Sequence, residues 1–249
     1  MVLPIYLQVA SEERPNAIIP ASMIDKFIAS AEAALADIPD GATVMIGGFG
    51  GAGMPVALID ALIGQGARDL TIVNNNAGNA DTGLAALIAA KRVRKILCSF
   101  PRQSDSWHFD KAYRAREIEL ELVPQGTLAE RIRAAGAGIG AFYTPTAFGT
   151  DLAKGKETRR IADRDYVLEY PIHADYALIK AERADRWGNL TYRKTARNFA
   201  PIMAAAAKCT VVQVRETVEL GGLDPEVIVT PGIFVQRVVK IVSSLRKAA

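Results

Sequence analysis

DGATVMIGGFGGAGMP, residues 40–55, decides the reading of this 249-residue chain. A polar turn at Asp40-Gly41 leads into a short apolar strand, Val44 to Ile46, then into a glycine loop that closes on Met54-Pro55 at the head of an apolar helical segment. The order is strand, loop, helix start. Glycine accepts positive φ and lets a ligand approach the main chain, while proline in the first helical turn gives up no useful hydrogen bond. The N–H groups left free at such a helix start suit an anion. Within the string, Gly48, Gly50 and Gly53 also spell G-x-G-x-x-G after a strand, the dinucleotide fingerprint. That fingerprint wants an acidic residue about 20 positions on. Here the next strand, Leu70 to Val73, runs into Asn74, Asn75 and Asn76, which disfavours an NAD-dependent oxidoreductase. On residues alone, a packing role for the glycines stays open, since they also let a helix sit close to a strand.

Outward from this string, strand-like and helix-like units alternate from Thr43 to about Val123. Alternation at this spacing predicts right-handed βαβ crossovers, hence an α/β fold: a single domain with a mainly parallel sheet flanked by helices. Ligands of such sheets bind beyond the carboxyl ends of the strands. The glycine loop, Asn74 to Gly78, Ser99 to Gln103 and Pro124-Gln125-Gly126 each follow a strand, so they are expected to share one rim. Thr127 and Glu130 stand at capping-box spacing for the next helix. A hairpin is expected about Asp163 to Asp165, then a strand from Tyr176 to Ala181, a helix from Ala200 to Lys208, and strands near Val211 to Val214 and Phe234 to Ile241. At the front, Ser22 is read as the N-cap of a helix opening at Met23, with Ile24, Phe27, Ile28 and Leu35 near helical spacing. The division is then an extension, residues 1–22, and one domain, residues 23–249.

Composition suits one chain of a soluble enzyme: 249 residues at 50% hydrophobic and 23% charged can bury a full core. The net charge of +3 is small, and its cations are scattered apart from runs such as Lys91 to Lys95, which argues against a nucleic-acid footprint. Cys98 and Cys209 sit in apolar strand-like runs and read as reduced, buried thiols of a cytosolic protein. No apolar run reaches the ~18 residues of a membrane span, and the first residues lack the basic region of a signal peptide.

A nucleophile is conspicuously missing. There is no G-x-S-x-G elbow, and neither His108 nor His173 is spaced for a metal. Glu117, Glu119 and Glu121 alternate on a strand with Ile118, Leu120 and Leu122, and Glu130 and Glu182 lie among charges on solvated faces. No glutamate stands in an S-E-N-G context.

The sixteen-residue string resembles the N-terminal signature of family I coenzyme A transferases, in the chain that does not carry the nucleophile. So do N-N-A-G at Asn75 to Gly78, P-Q-G-T-L-A-E-R-I-R-A at Pro124 to Ala134, F-Y-T-P-T-A-F-G-T at Phe142 to Thr150, and A-D-R-W-G-N-L-T-Y-R-K-T-A-R-N-F at Ala184 to Phe199. The runs Ser99 to Trp107 and Ile228 to Val239 look most like the members acting between succinyl-CoA and 3-oxoadipate. The resemblance extends from about residue 23 to 242. It implies the coenzyme A transferase fold and a ping-pong reaction in which the acyl-CoA is attacked by a glutamate of the partner B subunit, so no catalytic residue is expected in this chain. No metal, flavin or nicotinamide cofactor is implied. Gly47, Gly48, Phe49, Gly50, Gly51, Ala52 and Gly53 match the segment assigned to CoA. Asn75 and Gln125 match positions lining the acyl site, where neutral amides can donate to a carboxylate or oxyanion, or merely form turns. Arg102 is expected on the same rim, placed to grip a distal carboxylate or else to face solvent. A cytoplasmic hetero-oligomer of the β-ketoadipate pathway, in aromatic compound catabolism, is the implied setting. The alternatives are the equivalent chain of an acetoacetate-type transferase and a non-catalytic binding or regulatory module of the same fold.

Overall fold

The computed structural model describes residues 24–241. Three βα units and a fourth strand come first: β1 (Thr43–Ile46), α2 (Val56–Gln65), β2 (Leu70–Val73), α3 (Leu84–Ala89), β3 (Val93–Cys98), α4 (Trp107–Arg114) and β4 (Glu119–Leu122), preceded by the short helix α1 (Ala31–Leu35). Helix α5 (Gln125–Gly136) then leads to a separate antiparallel sheet, β5 (Phe142–Thr144), β6 (Thr158–Ile161) and β7 (Arg164–Glu169). The chain returns through the long strand β8 (Ala174–Ala184), the short β9 (Leu190–Thr191), α6 (Ala200–Ala206), the long β10 (Ala207–Thr217) and β11 (Arg237–Lys240).

The main sheet has the order β11-β10-β8-β1-β2-β3-β4, with every pair along it parallel, while β9 folds back antiparallel onto β8. The expected mainly parallel α/β fold is the one found. From β1 the order grows outward through β2, β3 and β4, and from β8 it grows the other way through β10 and β11. The reversal lies between β1 and β8, the kind of switch point at which open α/β sheets bind ligands.

Burial explains the layering. Val44 and Ile46 of β1 face a core built with α1 to α4, whereas Met45 faces a second core built with α5 and α6. The same alternation recurs at Ile72 against Val73 and at Ile96 against Leu97. Strands covered on both faces need apolar residues at consecutive positions, which is why they read as continuous runs. Cys98 lies in the first core, where burial pushes its thiol up to about 12, and burial also raises the half-buried Cys209. Both are free thiols.

Two local expectations fail. Ser22 and Met23 lie outside the described residues, and residues 24–30 are not helical: α1 begins at Ala31, with Ser30 Oγ accepting from the Ala33 N–H at 3.2 Å. The preceding segment runs instead along β11, with Ile28 N–H donating to Val238 O and Val238 N–H to Lys26 O, both at 2.8 Å. An uncovered sheet edge offers hydrogen bonds that this segment takes, and Ser30 then caps a helix that opens at Ala31 rather than at Met23. The capping box at Thr127 and Glu130 is likewise absent. Helix α5 begins at Gln125 directly after Pro124, Thr127 is already buried inside it, and Glu130 pairs with Arg133 at 2.9 Å.

The hairpin expected about Asp163 is the β6–β7 turn, with Ile161 opposite Arg164. Its sheet is tied to the main body through charge. Lys95 bonds Glu121 at 2.7 Å, Arg131 bonds Glu121 at 2.9 Å, and the buried Glu169 of β7 meets Lys156 at 2.6 Å with Arg131 at 3.8 Å. Burial alone would raise Glu121, but the hydrogen bonds from Lys95 and Arg131 outweigh it and hold the carboxyl below its usual range.

Candidate active site

The four loops expected on one rim are joined there by hydrogen bonds. Asn74 Nδ2 donates to Ile46 O at 2.6 Å, tying β2 to the end of β1, and the N–H groups of Ser99 and Phe100 donate to Asn75 O at 3.1 and 3.0 Å, tying β3 to β2. Val123 N–H donates to Cys98 O at 3.0 Å, which brings the Pro124 turn alongside.

The glycine loop is a clasped hairpin. Phe49 and Ala52 exchange two backbone hydrogen bonds, at 3.0 and 3.1 Å, around the Gly50-Gly51 tip. Its foot is fixed by Asn198: the side-chain Oδ1 accepts from Gly48 N–H at 3.2 Å, and Nδ2 donates to Ala52 O at 2.9 Å. Gly47 N–H donates to Leu178 O at 2.9 Å. A Cβ at Gly53 would lie 2.2 Å from Ala196 O, and one at Gly48 would lie 3.2 Å from Met54 Cα. These glycines serve packing. At Gly50 and Gly51 a Cβ would meet open space, and Phe49 beside them is 49% exposed. Only the tip is therefore free to meet a ligand.

The helix start differs in detail from its sequence reading. Pro55 is the N-cap and Val56 the first residue of α2, and the Leu58 N–H is already taken by Gln213 Oε1 of β10 at 3.3 Å. One of the N–H groups expected free at the helix start is therefore already paired within the chain.

Asn74, Asn75 and Asn76 are all buried, which suits turn-forming amides rather than a ribose-binding acid. Asn74 Oδ1 accepts from Asn76 N–H at 2.9 Å, and Asn76 Oδ1 accepts from Gly78 N–H at 3.0 Å. Among the described residues, Asn75 Oδ1, on a side chain only 4% exposed, has no hydrogen-bond partner, and neither have the adjacent Ser99 Oγ and the Asn76 Nδ2. A buried acceptor left unpaired costs about 1–3 kcal/mol, and each such group calls for a cause, such as strain, a bound water or ion, or a role in the chemistry. The side-chain amide can present either its O or its NH2 to the same spot.

Gln125 stands exposed at the first position of α5 over the end of β4. Arg102 is on the same rim, but its Nε donates to Asp110 Oδ1 of α4 at 2.5 Å in an exposed ion pair, so only its Nη groups are uncommitted. His108 Nε2 lies 2.8 Å from Asp81 Oδ1, and a hydrogen bond from that ring holds the Asp81 carboxyl below its usual range. His173 is exposed just before β8, at the opposite end of the sheet from the rim. Glu117, Glu119 and Glu182 pair with Lys91, Arg94 and Arg215. Residues 47–55, 74–78, 99–103 and 123–126 contain no carboxylate at all. No metal-binding cluster of His, Cys, Asp or Glu occurs among the described residues. None of the four loops lines the clefts of about 520 and 400 Å³ beside α2, so the rim is an open face.

Asn198 and Ser99 were not singled out as site residues in the sequence. Asn198 carried a signal in A-R-N-F, since it bonds on both sides of the hairpin, whereas the burial of Ser99 Oγ has no counterpart in spacing or residue type.

The rim thus combines a clasped glycine hairpin, buried amide atoms left unpaired and four loops that contain no carboxylate. A family model described as coenzyme A transferase matches residues 28–241, and the chain belongs to that family. The A-type subunit of the 3-oxoadipate CoA-transferase of Pseudomonas putida is 66% identical over 230 residues, covering 91% of this chain and 100% of that one. Its counterpart in Acinetobacter baylyi is 63% identical over 227 residues, covering 91% and 100%. Among solved structures, the acyl-CoA transferase YdiF of Escherichia coli O157:H7 shares the fold with a TM-score of 0.76 at 24% identity. The match covers 87% of this chain and 47% of that one, so the present chain spans about half the length of that longer transferase.

Proposed function

We infer that this chain is the A-type subunit of a heteromeric transferase that moves coenzyme A from succinyl-CoA to a 3-oxo acid, 3-oxoadipate foremost. The observation that carries this reading is the 66% identity over the whole length of the A-type chain of the Pseudomonas putida 3-oxoadipate CoA-transferase. The carboxylate-free rim agrees with it: covalent catalysis needs a nucleophile, and the glutamate is assigned to the partner B subunit. That carboxylate attacks the thioester carbonyl and expels the CoA thiolate, giving an acyl-glutamyl anhydride. The thiolate then displaces the acid to leave an enzyme thioester, and the 3-oxo acid reverses both steps. Excluding water between the two chains protects the anhydride from hydrolysis.

In this scheme the Phe49–Ala52 tip meets the coenzyme, and Asn75 and Gln125 face the acyl group. Asn75 presents its buried amide to the carboxylate or oxyanion that develops there. The reaction needs no metal or redox cofactor, and a cytoplasmic role in the β-ketoadipate pathway suits the substrate. No helix among the described residues is long and apolar enough to cross a membrane.

The test is thioester exchange by the two-chain enzyme on a panel of 3-oxo acids. Preference for 3-oxoadipate over acetoacetate is the expected outcome, and the reverse preference would reassign the chain to the acetoacetate-type enzymes. In the same assay Arg102→Ala should lower kcat/KM for 3-oxoadipate about tenfold more than for acetoacetate if its Nη groups grip the distal carboxylate. An equal change on both acids would leave Arg102 with Asp110 alone.

A further inference from the structure

Two stretches of the chain are densely basic, and their surroundings differ. Lys91, Arg94 and Lys95 each meet a carboxylate, at Glu117, Glu119 and Glu121. Arg193, Lys194 and Arg197 are all exposed, and none makes an ion pair or side-chain hydrogen bond with another described residue. Like charges gathered within five residues repel one another unless an anion lies between them.

The position of the second group is specific. The chain leaves β9 and lands in a 3-10 turn, Lys194–Arg197, against the glycine hairpin. Ala196 O occupies the space beside Gly53, and Asn198 holds both Gly48 and Ala52. The turn therefore sits over the reversal between β8 and β1. Asn75 follows β2 and Gln125 follows β4, so the line from the basic turn to Gln125 crosses between three and four strand spacings, about 17 Å. One end of the rim carries these unpaired cations, and the other carries the amides of Asn75 and Gln125 with Arg102 between them, paired to Asp110.

Resting on the coenzyme A reading above, we propose that Arg193, Lys194 and Arg197 form the subsite for the phosphate groups of the coenzyme's nucleotide portion. The thioester then lies over the Phe49–Ala52 hairpin with its acyl end toward Asn75 and Gln125. Guanidinium forks match phosphate oxygens in pairs, and the ammonium of Lys194 adds a point charge beside them.

The experiment is equilibrium binding to the two-chain enzyme by calorimetry, with coenzyme A and with pantetheine, which keeps the thiol arm and lacks every phosphate. In the triple variant Arg193→Gln, Lys194→Gln, Arg197→Gln, the Kd for coenzyme A should rise about tenfold to a hundredfold while that for pantetheine stays within about twofold. The dependence of coenzyme A binding on salt should flatten in parallel. The charge-preserving pair Arg193→Lys, Arg197→Lys should retain most of the affinity, which separates charge from any effect on the fold. Equal weakening of both ligands, or no weakening of either, would overturn the subsite while leaving the transferase reading intact. A wild-type enzyme that binds no coenzyme A would overturn both.

Discussion

The foot and the tip of the glycine hairpin are built from the same residue type and do opposite things. At the foot, Gly53 has positive φ and faces the Ala196 carbonyl at a distance no side chain could share, and Asn198 bonds both strands. At the tip, Gly50 and Gly51 look into open space. The foot makes the hairpin rigid, and the rigid foot presents the tip at the switch point of the sheet. Preorganised backbone loses less freedom on binding, so under the proposed coenzyme contact packing at one end serves recognition at the other.

The comparison breaks most visibly at Gly53. Gly53→Ala drives a Cβ into the Ala196 carbonyl and should cost roughly 3 kcal/mol of unfolding free energy in urea titration. A loss under ~0.5 kcal/mol would mean that the foot is looser than its contacts imply. Next comes Asn198→Ala, which leaves the Gly48 N–H unpaired and strips the Ala52 carbonyl of one of its two donors, the Phe49 N–H remaining, and should cost about 2 kcal/mol. Hydrogen exchange at residues 48–52 should speed up more than in the strands beneath. Uniform exchange rates across the chain would deny Asn198 its clasping role.

The tip offers a sharper contrast between neighbours. Gly50 has φ +57, so Gly50→Val should lose about 1–2 kcal/mol through backbone strain alone. Gly51 has neither positive φ nor close neighbours, so Gly51→Val should stay within about 0.5 kcal/mol of wild type while raising KM for succinyl-CoA roughly tenfold. Unchanged kinetics in Gly51→Val would return the whole loop to packing. The smallest effect is expected at a control site away from both ends of the hairpin. Glu121 ionises below its usual range in the folded chain, so its stabilising contribution is present above pH ~4.3 and is lost as the pH falls through the lower folded value. Glu121→Gln should therefore lower the Tm at pH 7, by the equivalent of about 1 kcal/mol at most, and the difference should shrink below about pH 4. A difference that grows on acidification would reverse the assigned sign.

Much of this was legible in residue order. The alternation from Thr43 to Val123 contained the parallel half of the sheet because apolar runs, glycines and polar turns all marked the same boundaries. The amino-terminal segment misled because Ile24, Phe27 and Ile28 fit helical spacing, while the deciding partner, β11, lies about 210 residues away in sequence. Thr127 misled because a capping signature describes local chemistry, and Pro124 had already started the helix. At the site, sequence identified the glycine string but not its division of labour, which depends on Ala196 and Asn198 arriving from the far side of β9. The contrast between the two basic runs was equally hidden, since pairing across β3 and β4 neutralises one and nothing in composition separates it from the other.

The central claim is that this rim is one wall of an active site whose nucleophile belongs to another chain. The direct measurement is succinyl-CoA-dependent transfer by the purified chain alone and after mixing with a B-type subunit carrying the S-E-N-G glutamate. Alone it should show no transfer above the buffer rate, and titration with the partner should restore turnover until the two chains are equimolar. Robust transfer by the chain alone, with the partner absent by mass spectrometry, would contradict the account.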